Sequence, residues 1–151
     1  KPLPESLRSL YADLFLRRLY YALQTKGEIP RGEIGDSERY RLFVIVDEAK
    51  LLVSEKQGIK AVLNKYATEM RKFGVGLVLA SQLISHFNDE ILANVAAKIC
   101  MNAENREQAR ANGRVFGITE DVITHLRQGQ GYLLTRDGQT GLQVVPSWHR
   151  R

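Results

Sequence analysis

The sequence predicts an α/β fold, in which a mainly parallel sheet has helices on both faces and a β-hairpin closes the chain. Apolar, β-branched runs alternate along the 151 residues with segments whose apolar residues recur at helical spacing. This alternation is typical of βαβ units, and uninterrupted apolar runs are typical of strands covered on both faces. The hairpin is predicted from two strand-like runs on either side of Asp137-Gly138.

The first predicted helix covers residues 5–26. Its apolar residues recur at spacings of three and four, which gives a stripe wide enough to be buried. Pro4 precedes the helix and Gly27 follows it, as is common at helix starts and ends. Residues 26–39, rich in glycine and charge, are predicted to form an exposed connection. The predicted buried stripe consists of Leu7, Leu10, Tyr11, Leu14, Leu19 and Leu23.

Two buried strands and a second helix are predicted next. "RLFVIVD" (41–47) and "VGLVLAS" (75–81) are continuous apolar runs and are predicted to be strands. Between them, residues 58–73 have helical spacing, and Gly74 is predicted to end that helix.

The second half of the chain is predicted to contain a third strand, short helices and the hairpin. "AAKICMN" (96–102) is the third apolar run, and residues 131–146 form the hairpin. Polar residues are predicted to cap the short helices and glycines to end them. The predicted caps are Asn88, Asn105 and Thr119, and the predicted stops are Gly113 and Gly129.

Charge and cysteine content limit the partners and the compartment. The net charge of +5 is compatible with a nucleic-acid partner, and equally with a solvated surface carrying a mild excess of Lys and Arg. Cys100 is the single cysteine, so an internal disulfide is excluded and a reducing, cytoplasmic compartment is expected. No apolar stretch approaches the roughly 20 residues of a membrane-spanning helix. The start lacks a signal peptide. It also lacks an initiator Met, so we expect a piece of a longer protein.

Polar residues follow each predicted strand of the sheet. Asp47-Glu48, Ser81-Gln82 and Asn102 come directly after the three apolar runs. Ligands of open parallel sheets bind at the carboxyl ends of the strands, so these residues are candidates for one site.

The acid pair suits the hydrolysis of a phosphoanhydride. One carboxylate, Asp47, would hold the magnesium ion that neutralises the β and γ phosphates, and Glu48 would orient and deprotonate the attacking water. The alternative is that the pair only caps the helix that follows.

Gln82 and Arg71 are the further candidates. A strand-end amide such as Gln82 can reach both a γ-phosphate and its attacking water, although a lone Gln often bonds its own backbone instead. Arg71 could complement a helix dipole, or could serve as an arginine finger in a neighbouring subunit's nucleotide site.

Other polar residues carry weaker signals. Arg106, Arg110 and Arg114 form one stripe, which is either a phosphate contact or a solvated face. The histidines have no metal-ligand spacing and are interpreted as structural or exposed; they are His86, His125 and His149.

Three segments occur in a characteristic order: "RLFVIVDEAKLL", "EMRKFGVGLVLASQ" and "DEILANVAAKICMNAENREQA". Together they resemble the HerA/FtsK superfamily of hexameric DNA-pumping ATPases. The nearest likeness is to HerA-type helicases and to conjugation and type IV secretion ATPases, over residues 40–146. The resemblance implies a RecA-like P-loop ATPase core that uses ATP and Mg²⁺. It also implies a homohexameric ring on double-stranded DNA, with a nuclease or a secretion complex as a further partner.

The resemblance also implies roles for particular positions. Asp47 and Glu48 match the Walker B acids, with Asp47 on the metal; Gln82 matches the sensor glutamine that contacts nucleotide; and Arg71 matches the trans finger. Residues 1–39 would be a helical segment with its connecting loop, and residues 40–151 the C-terminal part of the ATPase domain.

One departure from the family is severe. The phosphate-binding Walker A motif G-x-x-x-x-G-K-[ST] is absent from these residues, and "EKQGIK" supplies only a Gly and a Lys of it. Without such a loop nothing cradles the phosphates, so this chain alone is expected neither to bind ATP tightly nor to hydrolyse it.

Two other functions remain open at this point. The chain could be a non-catalytic assembly or DNA-binding module that kept the fold without the phosphate loop. A metal-dependent nuclease using Asp47 and Glu48 is less well supported, because adjacent strand residues face opposite sides and no further acids complete a two-metal site.

Overall fold

The computed structural model of the chain describes residues 4–30, 35–50 and 57–145. These residues form two compact units, which are considered separately. The first contains the described residues up to Gln82 together with His86–Asn94, and the second contains Leu83–Ser85 and the described residues from Val95 onward.

A parallel pair of strands forms the sheet of the first unit. β1 (Leu42–Val46) and β2 (Val75–Leu79) pair in register, from Leu42 opposite Val75 to Val46 opposite Leu79. The helices of the unit are α1 (Glu5–Thr25), α2 (Gln57–Glu69) and α3 (Asp89–Asn94). Single 3-10 turns form at Asp36–Arg39, Met70–Phe73 and Ile84–His86, the last of which spans both units.

The buried face of α1 differs from the predicted stripe. Leu16, Tyr20 and Leu23 are buried, whereas Leu7, Leu10, Tyr11 and Leu14 are exposed, so the prediction was wrong for the first half of the helix. Helix α1 has apolar side chains on two opposite faces, and spacing alone does not tell which face is covered. Contacts with α2 select the face: the Tyr66 hydroxyl donates to the Leu16 carbonyl oxygen at 2.7 Å and the Tyr20 hydroxyl to Glu69 at 2.7 Å.

Helix α2 ends as the sequence predicts. Its last turn tightens to 3-10 geometry over Met70–Phe73, and Gly74 follows in the left-handed conformation with φ 77°. The buried residues Val62, Leu63, Tyr66 and Met70 line the inner face of this segment.

Strand β1 is covered on one face only. Phe43 and Ile45 are 58% and 72% exposed, whereas Val46 is buried. The expectation of a strand covered on both faces is therefore wrong for β1 within this chain, because an apolar run shows what a strand can bury and not what lies over it.

The second unit packs two helices against an antiparallel sheet. The strands β3 (Lys98–Met101), β4 (Gln130–Thr135) and β5 (Gly138–Gln143) pair in that order, with Cys100 opposite Tyr132 and Thr135 opposite Gly138. The core lies between the sheet and the helices α4 (Arg106–Phe116) and α5 (Glu120–Thr124). It is formed by Cys100, Ala109, Phe116 and Ile123.

Both predicted glycine stops of the short helices were wrong. Helix α5 ends at Thr124, with His125 as its C-cap, and does not reach Gly129. Helix α4 continues through Gly113 to Phe116 and ends at Gly117, which has φ 66°. Gly113 is buried because the chain passes close to it: a Cβ there would lie 2.5 Å from the Ile118 carbonyl oxygen. The predicted caps Asn88 and Asn105 do accept backbone N–H groups, whereas the Thr119 side chain makes no capping bond.

The fold class is confirmed as α/β with a parallel sheet. The antiparallel part is larger than the predicted hairpin, since β3 joins β4 as an antiparallel neighbour. The hairpin itself is confirmed, but its two-residue loop is Arg136-Asp137, one residue before the predicted turn at Asp137-Gly138. Among the helices that the structure describes, none is long and apolar enough to cross a membrane.

Candidate active site at the carboxyl ends of β1 and β2

Backbone hydrogen bonds hold the two strand ends of the first unit together beyond the strands. The Ala80 N–H donates to the Val46 carbonyl oxygen at 2.9 Å, and the Ala49 N–H donates to the Ala80 carbonyl oxygen at 2.8 Å. Ala49 is fully buried at this junction. Consequently the Asp47-Glu48 turn and the Ser81-Gln82 segment lie at the same edge of the sheet, as the sequence predicts.

The turn at Asp47-Glu48 has an unusual backbone. Glu48 has φ 51°, and no other non-glycine residue in the described ranges has a positive φ. The turn is closed by the Asp47 Oδ1, which accepts the Glu48 N–H at 2.9 Å. Left-handed geometry at a residue with a Cβ costs about 1 kcal/mol or more and is common at functional sites.

Both acids are exposed. Within the part of the chain that the structure describes, the Glu48 carboxylate makes no hydrogen bond and Asp47 bonds only its own turn. Charged oxygens without protein partners at a strand end can bind a metal or a water. The alternative role, capping the next helix, involves residues 51–56, which lie outside the described residues.

Gln82 is exposed at the same edge. Its side chain makes no hydrogen bond to any described residue, so the alternative in which it bonds its own backbone does not occur. The amide is therefore available to a ligand.

A side-chain contact that the sequence did not predict lies next to Gln82. Ser81 Oγ and His86 Nδ1 are hydrogen-bonded at 2.6 Å, and both residues are half-buried. Burial, and secondly the charge of Lys50, lower the pKa of His86 below its usual value, so the ring is neutral near pH 7. A Ser and a His five positions apart form no recognised motif, so spacing gave no signal for this pair.

Arg71 lies at the other end of β2. It belongs to the 3-10 turn that precedes the strand, and its carbonyl oxygen accepts the Gly74 N–H at 3.0 Å. The four residue steps of β2 alone separate it from the acid pair by about 13 Å. Arg71 is exposed, whereas the adjacent Lys72 is paired with Glu28 at 3.4 Å. The site therefore brings together Asp47, Glu48 and Gln82 but not Arg71 of the same chain.

The arrangement fits a magnesium ion held mainly by a nucleotide. In the described ranges there is no group of three or more His, Cys, Asp or Glu side chains that could hold a metal. Mg²⁺ usually takes only one or two protein carboxylates and completes its shell with phosphate and water oxygens. Asp47, exposed and with one oxygen outside the turn bond, suits that coordination.

The basic stripe of the second unit is partly neutralised. Arg110 forms an ion pair with Glu120 at 2.7 Å, which raises the pKa of Arg110 and lowers that of Glu120 through their hydrogen bond. Arg106 and Arg114 are exposed. This pairing favours the solvated-face interpretation for Arg110.

The remaining sequence candidates belong to the second unit or fall outside the described residues. Asn102 is exposed and follows β3, in the second unit. The His125 Nδ1 lies 2.6 Å from the Asp121 carbonyl oxygen, so that ring has a structural contact. His149 and the basic terminal cluster "SWHRR" fall outside the described residues.

Comparisons with known proteins found one sequence relative and several structural neighbours. No protein-family model matches the chain. The chain is 37% identical, over 101 residues, to the DNA double-strand break repair helicase HerA of Pyrococcus furiosus; the match covers 63% of this chain and 18% of HerA. The chain thus spans less than a fifth of that relative.

Solved structures share the fold at lower identity. The genome-packaging NTPase B204 of Sulfolobus turreted icosahedral virus 2, in complex with ATP-gammaS, has a TM-score of 0.58 and 15% identity over 69% of this chain and 52% of B204. VirB4 of Thermoanaerobacter pseudethanolicus has a TM-score of 0.60 and 18% identity over 77% of this chain and 34% of VirB4. These likenesses establish the fold, that of P-loop ATPase domains.

Proposed function

The chain fits the HerA/FtsK superfamily of ATPases, and from that premise we propose that it is the C-terminal part of an ATP-dependent DNA translocase or helicase of HerA type. In this proposal the chain supplies the Walker B acids, the sensor glutamine and a trans arginine finger. The observation that carries it is the left-handed Asp47-Glu48 turn. Backbone hydrogen bonds hold this turn next to the end of β2, which Gln82 follows.

Each residue of the site has a distinct task in the proposed reaction. Asp47 would hold Mg²⁺, which when bound neutralises phosphate charge. Glu48, exposed and unpaired among the described residues, accepts a proton from the attacking water. Gln82 orients that water with its free amide.

Arg71 would act in a neighbouring subunit. Its own acid pair is at the opposite end of β2, so a guanidinium at this position can stabilise transition-state charge only in the next site of an oligomer. Contacts between different surfaces of successive copies can close into a ring, and we propose such a homo-oligomer, with six subunits as in the family. The ring would enclose double-stranded DNA.

The sequence contains no Walker A loop, so we expect residues 1–151 alone to be inactive and the complete protein to supply that loop from another segment. A nuclease is disfavoured by the lack of a third metal-ligating side chain near the acids in the described ranges. A non-catalytic module remains the competing function.

The test is DNA-stimulated ATP hydrolysis by the full-length protein that contains this chain. Glu48→Gln keeps the size of the side chain and removes the base, so turnover should be abolished while ATP binding survives. Glu38→Gln, the same change at another exposed carboxylate, is the matched control and should behave as wild type. Wild-type turnover in Glu48→Gln would contradict the role given to Glu48. No DNA-stimulated turnover in the wild-type protein would favour the non-catalytic module.

A further inference from the structure

The segment that carries Gln82 is fixed on its β2 side by main-chain contacts. The Ala80 N–H and carbonyl oxygen both bond β1 and its following turn, at 2.9 and 2.8 Å. These bonds hold the chain as far as Ala80, which leaves Gln82 two residues beyond the last of them.

The far side of the segment is fixed to helices α2 and α3. The Asn88 Oδ1 accepts the Ile91 N–H at 2.8 Å, and the Asn88 amide donates to Asn64 on α2 at 3.2 Å. Asn64 in turn donates to Glu90. Residues 81–87 therefore run between two attachments, and within them Ile84 packs against the buried cluster of the second unit.

One side-chain hydrogen bond joins two residues of this segment: Ser81 Oγ and His86 Nδ1 lie 2.6 Å apart. Gln82 lies between these two residues in the sequence, and its own side chain makes no hydrogen bond to the described residues. The bond therefore constrains the backbone next to the amide without occupying the amide.

We propose that His86, acting through Ser81, is a positioning residue that fixes where Gln82 presents its amide at the end of β2. The inference rests on the proposed function, since Gln82 is the group taken to orient the attacking water. It adds a residue that the sequence pattern left as structural or exposed.

The chemistry of the pair suits positioning. A neutral imidazole with its proton on Nε2 can accept a hydrogen bond from the Ser81 hydroxyl at Nδ1. One short hydrogen bond then fixes the side-chain rotamers of both Ser81 and His86. His86 is half-buried, so water competes weakly for the bond. Since a displacement of about 1 Å in a catalytic group can cost up to about 100-fold in rate, loss of this constraint should lower kcat clearly.

The experiment uses the full-length protein and four variants. Ser81→Ala and His86→Ala each remove the bond, and the double variant tests whether they act as one unit. His86→Asn restores an acceptor near the position of Nδ1. His125→Ala is the matched control, because that ring also makes a 2.6 Å contact, to the Asp121 carbonyl oxygen.

We expect kcat to fall about tenfold in each single alanine variant, with the KM for ATP changed less than about twofold, as for a lost orienting contact. The double variant should be no worse than either single variant, and His86→Asn should recover most of the rate. Hydrogen exchange of the amides of residues 81–87, measured in the protein without nucleotide, should quicken in the alanine variants and stay slow in His86→Asn. His125→Ala should match wild type in every measurement.

The outcomes separate this inference from the proposed function. Abolished turnover in Glu48→Gln together with wild-type kcat in His86→Ala would overturn the positioning role alone. Wild-type turnover in Glu48→Gln would overturn the proposed function, and this inference with it. A lower kcat that is accompanied by a lower melting temperature, and is not recovered in His86→Asn, would assign the bond to folding. That result would also overturn the inference.

Discussion

Replacing Glu48 by Gly tests whether the acid pair is held in a strained turn. A residue with a Cβ in the left-handed region costs about 1–2 kcal/mol, and Glu48 has φ 51°. Glycine removes that cost but loses more backbone entropy on folding, about 0.5–1 kcal/mol. The Asp47 bond to the Glu48 N–H survives because its donor is the main chain. The net expectation is a gain of about 0.75 kcal/mol in the free energy of unfolding at the centre of these two ranges, with limits of about 0 and 1.5 kcal/mol.

The assay is the thermal melting of the full-length protein, in which such a gain raises the midpoint by about 1–4 °C. Glu48→Ala keeps the Cβ and should show no gain. Glu107→Gly, in the first turn of helix α4, is the control and should lose up to about 1 kcal/mol. If Glu48→Gly lowers the melting point as much as Glu107→Gly does, the backbone of Glu48 is not strained and the reasoning is refuted. ATP hydrolysis should be lost in both Glu48 variants, since stability and activity are opposed at this position.

Three further predictions follow from other contacts. Arg71→Ala should abolish turnover, yet mixed rings with Glu48→Gln subunits should regain part of it, because each subunit then supplies what the other lacks; inactive mixed rings would contradict the trans role. Burial raises the pKa of Tyr66 to about 12 from 10.0, so the folded state keeps a proton that the unfolded chain loses. Its stabilisation is complete below pH 10 and is lost between pH 10 and about 12; Tyr66→Phe should lack that slope in pH-dependent urea unfolding. Gly113→Ala should destabilise by about 1–3 kcal/mol through its close carbonyl contact, whereas Gly141→Ala, with nothing within 4 Å, should be nearly neutral in the same unfolding assay.

Much of the site could be predicted because it depends on strand ends. Continuous apolar runs located β1 and β2, and parallel pairing then places Asp47, Glu48 and Gln82 at one edge. The left-handed backbone of Glu48 could not be predicted, because a glutamate gives no local signal for it. The Ser81–His86 bond could not be predicted either, since it depends on the path of a loop.

The fold predictions that were wrong have physical causes of the same kind. Helix α1 is apolar on two faces, and only its contacts with α2 decide that Leu16 is buried and Leu14 exposed. Gly113 resembles a helix stop, but it is required inside α4 by the close approach of Ile118. The direction of β3 is set by its partner β4, which its own apolar pattern does not specify.

Single-turnover ATP cleavage by Glu48→Gln in the full-length protein, measured beside its ATP affinity, tests the central claim most directly. The account predicts unchanged affinity and cleavage slowed by at least about 100-fold, the scale of a lost general base. Cleavage at the wild-type rate with ATP fully bound would contradict the role of the Asp47-Glu48 turn as half of a hydrolysis site.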